Sequence, residues 1–276
     1  MFGLRPAGLT PLKRLHLMPF HIPPLFRDAL AAADSSWHAI LSAGLDAVVD
    51  ADPAYLPTLA KDDFLPTKGR LFAAFKLPLD SVRYVLVGES PYPREASATG
   101  VCFMDGAVGS LWSETGLSKQ VNRATSLRNF MKMLLVAHGK LSIANTGGDA
   151  LAPIAEQARA DTSDYVQTLA DLQHNMMEHG FLLLNATLVF RPDVAPFKEA
   201  KAWRPFLQTV LQGLADHFGV EATPQLVLWG KIADQLNALP VTAQFPKLQS
   251  EHPYNLSFIG NATMQGLFRP MNLLRR

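Results

Sequence analysis

The chain is expected to fold as an α/β protein: three layers, α/β/α, around a central, mostly parallel four-stranded sheet in a single domain. Three observations predict this. Short apolar runs near 82–88, 181–190, 225–229 and 247–251 are bounded by turn residues, as buried strands are. Between them lie stretches with apolar residues at three-four spacing, the mark of helices packed on one face. Strands thus alternate with helices, the pattern of a parallel sheet covered on both sides. With 276 residues, 48% of them hydrophobic, the chain can bury one full core.

Ahead of Asp28, the first acid, stand Arg5, Lys13, Arg14 and Arg27. Residues 1–30 read as a flexible extension and 31–276 as the domain. An organellar targeting segment is the second reading, but Pro6, Pro11, Pro19, Pro23 and Pro24 interrupt a continuous helix. Ser35 or Ser36 is placed to cap a helix carrying Trp37, Ile40, Leu41, Leu45, Val48 and Val49, which Asp52-Pro53 ends. A short helix over 69–75 precedes the first strand.

That strand ends at Gly88 and runs into Glu89-Ser90-Pro91-Tyr92-Pro93. Pro91 and Pro93 lack backbone donors, so neither helix nor sheet continues. The result is a stiff loop at the carboxyl end of a strand, where open α/β sheets bind ligands. Residues 100–104 read as a short extended piece. Leu127, Phe130, Met131, Leu134 and Leu135 mark a helix capped by Thr125 or Ser126. An excursion with a short helix follows over 138–162. Tyr165, Leu169, Leu172 and Met176 form a helix closed by Gly180. The run 181–190, interrupted by Asn185, reads as a central strand. A helix over 204–218, a strand ending at Gly230 and a last short strand before His252-Pro253 complete the chain.

The formal net charge of +1 gives no global pull toward polyanions, so any nucleic-acid contact has to be a local patch. Lys119, Arg123 and Arg128, and Lys198, Lys201 and Arg204, supply two such clusters. Cys102, the only cysteine, excludes an internal disulfide and a cysteine metal cluster. It fits a reducing compartment, and a cytoplasmic, nucleoid-associated protein is expected. The chain has no His-Glu-x-x-His, no Gly-x-Gly-x-x-Gly and no Walker loop, so neither metal nor cofactor is expected. Gly88-Glu89-Ser90-Pro91-Tyr92 begins like a nucleophile elbow but lacks its final Gly, and Pro91 removes an oxyanion-hole amide. No apolar run is long enough to cross a bilayer, and a monomer without membrane attachment is expected.

Three residues fit poorly with a purely structural role. Glu89 follows a buried strand, Asn185 interrupts another, and His252 ends the last. A buried charge or amide needs a partner or a task, and these three converge on the carboxyl ends of one sheet.

At this point the chain resembles the family-one uracil-DNA glycosylases. Gly88-Glu89-Ser90-Pro91-Tyr92-Pro93 is similar to their water-activating loop, Gly-Gln-Asp-Pro-Tyr-His. Ser36-Trp37-His38, Gly100-Val101-Cys102-Phe103, Ala124-Thr125-Ser126-Leu127-Arg128-Asn129, Leu182-Leu183-Leu184-Asn185-Ala186, Leu228-Trp229-Gly230 and His252-Pro253-Tyr254-Asn255-Leu256-Ser257 follow in the family's order. The resemblance implies a DNA repair enzyme that excises a flipped-out uracil, from single- or double-stranded DNA. It implies that Phe103 stacks on uracil and that the Asn185 amide reads its edge. Tyr92 would exclude the thymine methyl, and His252 would hydrogen-bond O2 of the departing base. It further implies that Leu256 fills the vacated space in the duplex, while Ser126 and Ser257 hold phosphates.

The departures lie at the catalytic positions. Ser90 stands where the family has its Asp, and Glu89 restores a carboxylate one residue earlier, as in the Gly-Glu-Ala-Pro-Gly loop of the family-four enzymes. Pro93 replaces a His, and Tyr254-Asn255 replaces Ser-Pro. Two readings remain: a glycosylase whose acid is Glu89, assisted by Ser90 and His252, or a relative that binds DNA or uracil-DNA without excision.

Overall fold

The structure, a computed structural model, describes residues 22–276. Arg5, Lys13, Arg14 and the first three prolines of the expected extension lie outside the described residues. Folded chain already precedes residue 31. Helix α1 (Pro24–Ala29) opens on a proline, which suits a first helical turn, and its Phe26 is fully buried.

Four strands form the sheet: β1 (Tyr84–Gly88), β4 (Phe181–Asn185), β5 (Gln225–Trp229) and β6 (Lys247–Ser250), in the order β4-β1-β5-β6. Every neighbouring pair is parallel. A small antiparallel hairpin, β2 (Trp112–Ser113) and β3 (Gly116–Leu117), lies outside it and has no signature in the sequence pattern. In chain order the other helices are α2 (His38–Ala51), α3 (Tyr55–Leu59), α4 (Lys119–Arg123), α5 (Thr125–Ala137) and α6 (Gly148–Ala160). They continue with α7 (Leu169–Glu178), α8 (Pro196–Ala222), α9 (Ile232–Asn237) and α10 (Ala262–Phe268).

Alternation along β1 divides the core. Val85 and Val87 face a layer that includes Leu41 of α2 and Phe206 of α8. Leu86 faces the opposite layer, with Phe130 of α5 and Phe268 of α10. Successive strand side chains point to opposite faces, so an all-apolar strand needs a cover on both. This explains why β4 reads as central although it is an edge strand: all five of its residues are buried. Leu188 and Val189 prolong the apolar run because the chain leaving β4 still crosses the core.

Several local expectations change. Asp34, not a serine, caps the turn before α2: its carboxylate accepts from the Ser36 amide at 3.0 Å. The Ser36 hydroxyl instead accepts from the Leu79 amide at 2.9 Å. α5 has no side-chain cap, because Ala124 holds that position and Thr125 and Ser126 lie inside the helix. Residues 100–104 form turns instead of an extended piece, and Tyr165 lies outside α7. α8 begins at Pro196, well before residue 204. With all four strands of the main sheet parallel, the carboxyl ends Gly88, Asn185, Trp229 and Ser250 share one edge.

Candidate active site

At that edge a cleft of about 220 Å³ is lined by Glu89, Ser90, Tyr92, Phe103, Ser126, Asn185 and His252. Seven of the nine residues expected to act at the site thus meet in one cavity. Leu256 and Ser257 lie on the loop that continues from His252 and do not line it.

The ends of β1 and β4 position the inner wall. Gly88 and Asn185 are in register, and the ladder continues past both strands. The Ala186 amide donates to Gly88 O at 2.8 Å, and the Thr187 amide donates to Glu89 O at 3.0 Å. Gly88 cannot carry a side chain: a Cβ there would sit 2.5 Å from Cys102 Sγ and 3.2 Å from Asn185 Oδ1. Burial pushes the Cys102 thiol up to about 12, so this neighbour is a neutral packing group. Asn185 is only 5% exposed, yet its amide has no hydrogen-bond partner among the described residues. Lining the cleft without a protein partner, the side-chain amide is free to donate to and accept from a group in the cavity.

Phe103 is held by strain and packing. Its φ is 68°, the left-handed region that bulky residues avoid. The Thr99 hydroxyl donates to Met104 O at 2.9 Å and accepts from the Val101 amide at 3.1 Å. The Cys102 amide donates to Leu183 O at 3.0 Å, docking this turn on β4. The Phe103 ring stands edge-on to Phe130 and Trp229, with centroids 5.3 and 5.2 Å away. The Tyr92 hydroxyl donates to Phe103 O at 3.4 Å, and burial raises its pKa well above the phenolic range.

His252 follows β6. Its Nδ1 accepts from the Tyr254 amide at 3.1 Å, so the neutral imidazole carries its proton on Nε2. Burial lowers its pKa below 6.5, and the nearby Glu89 charge opposes the shift without reversing it. Glu89 and Ser90 are exposed at the cleft rim, and neither side chain has a hydrogen-bond partner among the described residues. Ser126 lies in the first turn of α5, whose leading amides have no side-chain cap.

The loop after His252 hangs from one residue that sequence reasoning passed over. Asn129, fully buried on α5, donates through Nδ2 to Pro253 O at 2.8 Å and Tyr254 O at 3.2 Å. Leu256, 69% exposed, projects from this tethered loop. The Ser257 hydroxyl lies close enough to the Glu251 carboxylate to help hold its pKa below the ordinary value. Thr99 and Gly88 were also missed as supports. Only contacts between distant segments reveal these supporting roles, although Gly88 and Asn129 both stand in motifs that resemble the family's. Among the described residues, no cluster of three His, Cys, Asp or Glu is arranged to hold a metal.

No family model matches the chain. It is 28% identical over 194 residues to the uracil-DNA glycosylase of a Nocardioides species, covering 70% of this chain and 66% of that protein. It is 26% identical over 197 residues to the uracil-DNA glycosylase of Tropheryma whipplei, covering 71% and 68%. The matches span about two thirds of these curated relatives. The crystal structure of the wild-type UNG from Nitratifractor salsuginis superposes with a TM-score of 0.82 at 37% identity, covering 92% of this chain and 99% of that one.

Proposed function

The chain belongs to the uracil-DNA glycosylase family, and from that premise we propose that it hydrolyses the N-glycosidic bond of a uracil flipped out of DNA, leaving an abasic site. The observation that carries this reading is Asn185: a buried amide without a protein partner, beside a strained aromatic ring in a base-sized cleft. Its Nδ2 donates to uracil O4 and its Oδ1 accepts from N3–H, a pattern that cytosine reverses. Phe103 supplies a stacking face, and Tyr92 closes the space a thymine methyl needs.

Glu89 is the only carboxylate among the residues lining the cleft. As the C1′–N1 bond breaks, its charge favours the positive charge developing on the sugar. Water bonds to C1′ and gives its proton to Glu89. Uracil leaves as an N1 anion, held at O2 by Nε2–H of neutral His252, and then takes a proton from solvent. Ser90 adds a hydroxyl beside the attacking water. Ser126 and the uncapped turn of α5 hold a phosphate, Leu256 occupies the gap in a duplex, and the protein acts as a monomer in the cytoplasm.

A second reading, binding without excision, is favoured by two observations: Ser90 supplies no charge, and Glu89 is exposed and unbraced. A gel assay of uracil release from single- and double-stranded oligonucleotides decides between them. Strand cleavage at the uracil position after alkali supports excision. Intact DNA at high protein excess, with binding retained, leaves the second reading.

A further inference from the structure

α8 carries a feature that uracil reading and catalysis do not use. Its first turn is anchored from inside: the buried Glu199 carboxylate accepts from Arg191 Nε at 2.6 Å and from the Tyr55 hydroxyl. Arg191 also binds Asp62 at 2.7 Å. Glu199, Trp203, Phe206 and Leu207 are buried and set the rotation of the helix about its axis. Positions 197, 201 and 204 then share the outer face, at the four- and three-residue steps that stack side chains along a helix. Phe197 is 69% exposed there.

Phe197, Lys201 and Arg204 line a second hollow, of about 290 Å³, whose floor includes Ala186 and Leu236. Two elements join it to the uracil cleft. The chain leaving β4 places Asn185 in the cleft and Ala186 and Thr187 in the hollow; α9 places Ile232 in the cleft and Gln235 and Leu236 in the hollow. Lys198, Lys201 and Arg204 form no ion pair among the described residues, while the acid of the same turn, Glu199, is buried and paired. A lone exposed Phe is ordinary. A Phe on one stripe with two cations, beside a base-reading cleft, has the composition of a groove for unpaired nucleic acid, where bases stack and phosphates meet positive charge.

Resting on the glycosylase reading, we infer that this hollow takes an unpaired base neighbouring the flipped uracil, stacked on Phe197, with Lys201 and Arg204 on the adjoining phosphates. In a duplex that neighbour stays paired and stacked, so the added hold belongs to single-stranded DNA.

The test is fluorescence anisotropy with short uracil-containing oligonucleotides, single-stranded and duplex, using the full chain and its variants. Phe197→Ala weakens single-strand binding on the order of tenfold, leaves duplex binding unchanged and, being a surface change, leaves the melting temperature unchanged. Phe197→Trp restores the affinity. Lys201→Ala reduces the salt slope for single strands by about 0.7. Nucleotides near the uracil are then replaced one at a time by abasic spacers. At one position the spacer weakens wild-type binding, and Phe197→Ala adds no further loss. Equal single-strand affinity of wild type and Phe197→Ala overturns the inference, as does an equal loss on both substrates. The glycosylase reading fails separately, if the wild type neither cleaves uracil oligonucleotides nor prefers them to thymine ones. A Phe197-dependent loss confined to single strands would still support the groove in that case.

Discussion

Asn185 and Phe103 on one side of the cleft, and Glu89 and Ser90 on the other, are held by different means. Asn185 sits in register with Gly88 inside the sheet ladder, and Phe103 is wedged between Phe130 and Trp229. Both belong to the packed core, so their positions depend on neighbours many residues away. Glu89 and Ser90 occupy a proline-stiffened rim, exposed and without side-chain partners among the described residues. Substitutions there should leave the fold undisturbed. By the resemblance to the family-one loop, the departures fall on this side, at Glu89, Ser90 and Pro93, while the proposed base-reading residues Phe103 and Asn185 keep the residue types of the resembling motifs. On the proposed reading, a base-reading wall built from packed core has less freedom to vary than a catalytic rim built from an exposed loop. Changes on the rim should therefore alter turnover alone, and changes in the wall should alter binding and stability together.

Glu89→Gln is expected to have the largest effect. Loss of the proposed general base and its charge should lower the rate of uracil release by about a hundredfold or more. Uracil-DNA binding and melting temperature should stay near wild type. Single-turnover kinetics with a binding isotherm checks this, and full activity in the variant would assign the wrong carboxylate. Ser90→Asp, on the same exposed rim, should maintain or raise the rate.

Asn185→Ala comes next. Removing the reading amide should cost roughly tenfold to a hundredfold in kcat/KM for uracil, from one or two lost hydrogen bonds. Gly88→Ala sharpens the contrast between wall and rim. Its Cβ would collide with Cys102 Sγ and crowd Asn185, so both stability and uracil affinity should fall, the former by about 1–3 kcal/mol. Thermal melts beside titration with uracil oligonucleotides separate the two; a variant with unchanged melting and weakened affinity would break the comparison.

The third effect concerns the loop carrying Leu256. Asn129→Ala removes the donor shared by Pro253 O and Tyr254 O and should destabilise the protein by about 1–3 kcal/mol. If Leu256 fills the duplex gap as proposed, excision from duplex DNA should drop more than excision from single strands. Equal loss on both substrates would reduce Asn129 to a purely structural brace.

These contrasts also explain what the sequence could disclose. β5 was legible to the residue because a short apolar run between turn residues leaves little freedom. β4 was legible as buried but not as an edge strand, since burial on both faces depends on helices that pack later in the chain. The cleft residues could be named because each is chemically out of place where it stands. Asn129 could not be singled out: an Asn on a helix looks like a surface residue until the returning loop lies across it. The bond from Asn261 Nδ2 to the Glu251 carboxylate, at 2.8 Å, was likewise hidden, being a contact between residues ten apart across the turn that carries Leu256.

The smallest effect tests whether rim and wall communicate. Burial depresses the His252 pKa below 6.5, while the Glu89 charge pulls it upward. A base whose folded-state pKa is depressed favours the fold above its unfolded value, and that contribution fades as pH falls through the folded pKa. His252 should therefore be neutral, with its Nε2 proton available to the leaving base, throughout the range above pH 6.5. An NMR titration of the imidazole Cε1–H resonance should find its midpoint below 6.5 in the wild type. In Glu89→Gln the opposing charge is gone, so the midpoint should move further down. A midpoint that stays in place or rises would mean that the Glu89 carboxylate turns away from His252 in solution. The acid and the leaving-group donor would then act from separate places, and the exposed rim would need bound DNA to bring its carboxylate to the sugar.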